Sequence, residues 1–250
     1  MSTALIAQLG YDLIKIAERN GSLDRFRDMF RKKHRVLILG STGTGKTQFV
    51  TSCAQIFADA LDHVARTEFP NTNRTEIGGK LFEFIDTPGQ EYHVSRRVDA
   101  IREAINKGMS GVINLTCYGY HEYGVDKSEV IIDKSVSEKY LKSHREVELI
   151  LLREWVHLLR NEWILTVVSK ADIWWDQRDN ILQYYNSGEY NDVLFSLNKH
   201  MENVIAPYSS ITNRFYNEVP CSGNFDDTQR KLYRQKLFKT LLEAITRVGE

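Results

Sequence analysis

The stretch Gly40-Ser41-Thr42-Gly43-Thr44-Gly45-Lys46-Thr47 decides how this chain folds. It is a complete G-x-x-x-x-G-K-[ST] string, entered from the apolar run Val36-Leu37-Ile38-Leu39 and left into Gln48-Phe49-Val50. A buried strand that hands its chain to a helix through so tight a turn converges backbone N–H groups on an anion, and glycine permits the turn without a Cβ clash. Gly40 through Gln48 are the expected phosphate-binding set. Lys46 meets the terminal phosphates, and Thr47 offers its hydroxyl to the magnesium ion that such phosphates carry. The following helix aims its positive N-terminal end at the same charge.

A phosphate loop implies a nucleotide, and the base has to be read elsewhere. Lys80-Leu81-Phe82-Glu83-Phe84-Ile85 alternates like a half-buried strand and delivers Asp86 at its end, followed by Thr87-Pro88-Gly89-Gln90. An acid there can hold magnesium, usually through a water. Gly89 is small enough for its N–H to approach a third phosphate, and Gln90 is then placed to orient a water for attack. Farther on, the apolar run Trp163 to Val168 ends in Ser169-Lys170-Ala171-Asp172, a close variant of the [NT]-K-x-D guanine signature. A carboxylate at Asp172 can accept two hydrogen bonds from guanine, whereas adenine offers no matching pair. Phe215 to Val219 reads as one more strand, closed by Pro220-Cys221-Ser222-Gly223-Asn224, where a backbone N–H would face the guanine carbonyl.

With these motifs in this order, the chain resembles the small GTPases of the Ras-like superclass from about Arg35 to Val248. The resemblance implies a P-loop α/β fold, a mixed, mostly parallel six-stranded sheet with helices on both faces, and GTP or GDP with Mg2+ at the carboxyl ends of the strands. It also implies a threonine between the phosphate loop and Asp86 that reaches magnesium and the third phosphate. Thr67, Thr72 and Thr75 compete. If Thr72 to Gly78 is a strand that returns through Gly78-Gly79, Thr67 is left in the loop and is the preferred one. Its neighbour Arg66 is either a cis arginine finger or a solvated loop residue.

Three departures from the family pattern carry expectations. Ser169 is shorter than the usual Asn or Thr, so one contact tying its loop to the phosphate loop is expected to be weaker. Thr42 stands where Ras has a glycine beside the catalytic glutamine, which bears on hydrolysis and not on binding. Gly223 and Asn224 replace the Ala and Lys of the last loop, harmless for a backbone contact.

Composition bounds the rest. In 250 residues with 42% hydrophobic content the chain can bury one sizeable core. Lys plus Arg and Asp plus Glu both number 33, which removes any global electrostatic case for nucleic acid. No apolar run approaches a membrane span, and no lipidation signal is encoded at either end. Cys53, Cys117 and Cys221 form no metal spacing or disulfide framework, so a cytoplasmic setting is expected. His121 and His144 read as solvated loop or helix residues.

Residues 1–34 read as a helical extension, with Leu5, Ile6, Leu9, Leu13 and Ile16 at helical spacing. A second short helix there sets Arg25, Arg27, Arg31, Lys32 and Lys33 beside apolar groups, so that residues 22–35 either pack on the domain or touch an anionic membrane surface. Residues 35–250 would form the GTPase domain, with insertions near 117–137 and 173–213. Glu138 to Arg160 reads as a long amphipathic helix, and Val193 to Ile205 has a helical pattern. The second insertion carries Trp174, Trp175, Tyr184, Tyr185 and Tyr190. If exposed, these aromatics would mark a surface for a protein effector or regulator; if buried, they would extend the core.

The expected function is a GTP-binding, GTP-hydrolysing switch with slow turnover, in which Lys46, Thr67 and Gln90 act at the phosphates and Thr47, Thr67 and Asp86 at magnesium. The alternative is a nucleotide-gated scaffold that binds GTP with little hydrolysis and recruits a partner.

Overall fold

The structure, a computed structural model, describes residues 34–52, 74–77, 80–86, 94–122, 127–159, 163–197, 199, 203–210 and 215–247. The expected N-terminal helices, along with Arg66, Thr67, Thr72, Gly89 and Gln90, fall outside the described residues.

The chain runs through β1 (His34–Leu39), a helix α1 described over 46–52, β2 (Arg74–Ile77), β3 (Lys80–Asp86), α2 (Val94–Asn106) and β4 (Gly111–Thr116). A short helix α3 (Lys127–Val130) and a small hairpin of β5 (Ile131–Ile132) and β6 (Ser135–Val136) come next. They are followed by α4 (Glu138–Trp155), β7 (Trp163–Val168), α5 (Ala171–Trp174), α6 (Arg178–Ser187), α7 (Glu189–Leu197), β8 (Asn203–Pro207) and α8 (Asp227–Arg247). The main sheet has six strands in the order β2-β3-β1-β4-β7-β8. All neighbours are parallel except β2, which returns antiparallel from β3 with Ile77 opposite Lys80. The antiparallel return expected of this segment is therefore present, with Gly78-Gly79 themselves outside the described residues.

Alternation along the strands sends side chains to two cores, one per face. Leu37, Leu39, Val112, Ile164 and Val168 pack against α2, α4, α6 and α7 through Ile101, Leu149, Leu152, Ile181 and Leu194. Val36, Ile38, Ile113, Leu115, Leu165 and Val167 pack against Phe49 of α1 and Leu237, Phe238 and Leu241 of α8. Fully buried apolar runs such as Trp163–Val168 need this double cover, because water on either face would leave their branched side chains exposed. Among the described residues no helix is long and apolar enough to cross a membrane.

Three expectations change. The sixth strand is β8, whereas Phe215 and Val219 form an isolated antiparallel bridge in a closed turn. Tyr216 and Asn217 hold left-handed φ values of 49° and 63° there, which bends the chain back before a ladder can grow. The helical pattern of 193–205 splits, since helix ends at Leu197 and extended chain begins at Asn203. The aromatic insertion is interior: Trp174, Trp175, Tyr185 and Tyr190 are buried, and the Tyr190 hydroxyl accepts from Asn114 Nδ2 at 2.7 Å. That interior packing removes those four rings as an exposed partner surface.

Candidate functional site

Strand β1 lies between β3 and β4, so its carboxyl end is where the sheet order reverses and a crevice opens. The phosphate-loop residues emerge there. Gly40, Gly43 and Gly45 take φ values of 143°, 80° and 90°, the region that a side chain disfavours. At Gly40 a Cβ would also lie 2.3 Å from the Leu115 carbonyl oxygen. Thr44 Oγ1 donates to Ser41 O at 2.9 Å, and Phe49 N donates to Gly45 O at 2.8 Å as α1 begins. Lys46 Nζ donates to Gly40 O at 2.8 Å and Ser41 O at 3.1 Å, which folds the cation over the loop. Thr42 is half-buried, while Thr47 and Gln48 are exposed at the helix start.

Asp86 ends β3 directly beside Ile38 in the register, so its backbone borders the loop. Thr47 and Asp86 are hard oxygen donors of the kind magnesium takes, Thr47 at the start of α1 and Asp86 at the end of β3.

The end of the cleft at Ser169 to Asp172 is assembled from distant segments. Ser169 N donates to Thr116 O and Ala171 N to Tyr208 O, which pins the 169–172 loop between two neighbouring strands. Ser169 Oγ donates to Thr44 O at 2.8 Å. The tie between the two loops is thus made despite the short side chain, because β7 delivers Ser169 close enough. Lys170 adopts φ 57°, with Nζ 3.6 Å from Glu122 Oε2 and 5.1 Å from the Phe215 ring centroid. Burial lowers its pKa, and Glu122 opposes that shift.

Asp172 is buried. Its Oδ1 accepts from Ser209 Oγ at 2.6 Å and its Oδ2 from Cys221 Sγ at 3.5 Å. A cavity of about 80 Å³ joins both ends, lined by Thr44, Gly45, Gln48, Asp172, Ser209 and Ser210, with Lys170 and Phe215 on its wall. Ser222 does not line it. Its N–H donates to the Asp172 carbonyl at 2.7 Å, Asn224 Nδ2 bonds Asp176 Oδ1 at 2.7 Å, and Gly223 is exposed.

Glu122, Ser209, Ser210 and Phe215 were not read as site residues from sequence. The signal that could have found the serines is the short apolar run Val204-Ile205-Ala206 ending in Pro207, which stops a strand at Tyr208-Ser209-Ser210.

Beneath the phosphate loop lies a buried polar group that also corrects an expectation. His121 is fully buried, not solvated, and its Nε2 bonds Ser41 Oγ. His144 is half-buried, with Nδ1 at 2.9 Å from Tyr140 O. Glu148 of α4 accepts from Cys117 N at 2.8 Å and from the Tyr185 hydroxyl at 2.8 Å. Cys117, His121 and Glu148 each offer a potential ligand atom within 4.8 Å of one another. Those hydrogen bonds give the carboxyl group a bracing role for the turn after β4. Burial, then the charges of His144 and Lys170, hold the His121 pKa well below its ordinary value, while burial raises that of Glu148.

A phosphate loop at the reversal point of a mostly parallel sheet, facing a buried carboxylate on the next loop but one, defines a P-loop nucleotide-binding domain. Residues 35–199 match the model of the family described as 50S ribosome-binding GTPase, and the chain belongs to that family of GTPases. It is therefore a guanine-nucleotide-binding domain. No curated protein matches the chain. Among solved structures, a crystallised variant of SsGBP is 18% identical, with 96% of this chain and 62% of that one covered and a TM-score of 0.42. The Arl6 BBS3 small GTPase from Trypanosoma brucei with bound GppNp is 14% identical, covering 86% and 99%, with a TM-score of 0.44. The GTPase-like domain of S. cerevisiae Ski7, bound to GDP and inorganic phosphate, is 13% identical, covering 90% and 52%, with a TM-score of 0.46. The chain thus spans less than two thirds of the length of the SsGBP and Ski7 chains.

Proposed function

We propose that this chain is a cytoplasmic GTP-driven switch of the Ras-like type that hydrolyses GTP slowly and signals to a protein partner through its switch loops. The observation that carries this reading is the cleft itself, in which Thr44, Gly45 and Asp172 line one cavity and Ser169 Oγ ties the two loops at 2.8 Å.

In this reading the amides of 40–47 and the Lys46 ammonium hold the β- and γ-phosphates, and Lys46 trades its contacts to Gly40 O and Ser41 O for phosphate oxygens. Thr47, Asp86 and Thr67 would hold magnesium, which neutralises charge on the transferring phosphoryl group when bound. Asp172 accepts the two donors of guanine. Ser209 and Ser210, which follow the last strand, take over the role expected of Ser222 to Asn224 and face the guanine carbonyl. The Gly89 amide closes on the third phosphate, and Gln90 positions the attacking water more than it deprotonates it.

Calorimetric titration with GTP, GDP and ATP, followed by phosphate release from the parent and Gln90→Leu, tests this. GTP should outcompete ATP by at least ~100-fold, and Gln90→Leu should bind normally while turning over at least ~10-fold more slowly. Equal affinity for ATP sinks the guanine assignment, and equal measurable rates sink the role of Gln90. Thr42 favours a second reading, a scaffold gated by nucleotide. That reading holds if GTP binds and neither protein hydrolyses it, even with candidate partners.

A further inference from the structure

The segment after β8 returns to the base-reading loop and grips it along its length. At its near end Tyr216 N donates at 3.0 Å to Oε1 of Glu122, in the turn after β4, whose Oε2 lies 3.6 Å from Lys170 Nζ of that loop. At its far end Asn224 Nδ2 bonds Asp176 Oδ1 at 2.7 Å, and the Phe225 ring meets Trp175 edge-on at 4.8 Å. Between them, Cys221 Sγ reaches Asp172 Oδ2 at 3.5 Å while the neighbouring Ser222 N bonds the Asp172 carbonyl at 2.7 Å. The thiol and the carboxylate are thereby held together through backbone as well as side chain.

We propose that Cys221 is a positioning residue for base specificity, setting the plane in which Asp172 reads guanine. The proposal rests on Asp172 being the base reader. An aspartate carboxylate turns about its last torsion as a broad two-fold rotor, so one donor leaves it a hinge. Donors on both oxygens fix the plane. Ser209 supplies the first on Oδ1 at 2.6 Å, and Cys221 supplies the second on Oδ2. The distance suits a sulfur donor, and the weak S–H group constrains the carboxylate without neutralising it.

Guanine presents N1–H and the exocyclic N2–H side by side, so both bonds form only with a correctly rotated carboxylate. Hypoxanthine presents N1–H alone and tolerates a tilt. Loss of the thiol therefore harms guanine more than hypoxanthine, whereas a general loosening of the loop harms both alike.

Calorimetric titration of the full chain with GDP and with IDP separates these outcomes, using the parent, Cys221→Ala, Cys221→Ser and Asp172→Ala. The parent should prefer GDP by at least ~10-fold, and Cys221→Ala should cut that preference at least ~3-fold while moving IDP affinity less than ~2-fold. Cys221→Ser restores a donor and should recover most of the preference. Asp172→Ala should remove it. If Cys221→Ala does not fold, Cys221→Val, of similar volume and without a donor, carries the same expectation. Equal weakening of GDP and IDP, or an unchanged preference in the donor-free variant, overturns the positioning role and leaves Asp172 as the reader. A parent without preference, or an Asp172→Ala protein that keeps it, overturns the base assignment and this proposal with it.

Discussion

The proposed phosphate end of the cleft comes from one unbroken stretch, 40–47, whereas the proposed base end draws on Asp172 and Ser209 with Cys221 behind the carboxylate, and these meet only because β7, β8 and the turn at 215–219 bring them together. The first is held by local backbone geometry, with glycines at positive φ and Thr44 bonded back to Ser41. The second is held by side-chain bonds between segments far apart in sequence. A contiguous cradle fails by strain at one residue; an assembled pocket fails by loss of a partner elsewhere.

The largest effect is expected from Gly40→Ala at the local end. A Cβ 2.3 Å from the Leu115 carbonyl oxygen, at a φ of 143°, forces the loop or β4 to move. Such strain should cost about 3 kcal/mol of stability and abolish nucleotide binding, read as a lowered melting temperature and no calorimetric signal with GDP. A protein that melts and binds like the parent would show that the cradle is less constrained than the base end.

Asp172→Asn comes next. Replacing a carboxylate oxygen by an amide N–H sets donor against donor on guanine, so it should weaken GDP at least ~100-fold and raise affinity for xanthosine diphosphate, whose C2 carbonyl accepts that N–H, checked by competition titration. Unchanged discrimination would move base reading away from this carboxylate.

The tie between the ends is tested by Ser169→Ala, which removes the donor on the Thr44 carbonyl. One buried hydrogen bond is worth about 1 kcal/mol, so GDP affinity should fall roughly 5-fold with base preference retained. Loss of preference without loss of affinity would mean that Ser169 serves the base end alone.

The smallest effect lies below the phosphate loop. The buried His121, faced by Glu148, His144, Lys170 and Lys46, keeps a depressed pKa in the folded state. The unfolded chain then takes up a proton near the ordinary value of 6.5 and the native state does not. The group's contribution to stability is present above that value and lost as pH falls. Between pH 6.5 and 5.5 the parent should lose about 1 kcal/mol more than His121→Gln, measured by denaturant unfolding. Parallel pH profiles would show that His121 titrates normally.

Much of the fold was legible because its signals are local. Val36–Leu39 and Trp163–Val168 are apolar runs of strand length, and Lys80 to Asp86 alternates with period two. β8 was missed because Asn203–Pro207 is a short strand whose apolar residues continue the helical spacing of Val193 and Leu194. Phe215 to Val219 misled for the opposite reason. Its alternation looks like a strand, yet Phe215 and Val219 bond each other across a turn at left-handed Tyr216 and Asn217.

By itself the sequence determined the phosphate loop, the order of the motifs and the P-loop GTPase class, since a glycine-rich turn between a strand and a helix has one main use that neighbouring residues alone can express. Only the tertiary structure decided that His121 and the aromatic insertion are interior. It likewise decided that Ser209, and not Ser222, faces the cavity beside Asp172. Burial and convergence depend on which distant segments pack together, and side-chain identity at one position carries no record of its neighbours in space.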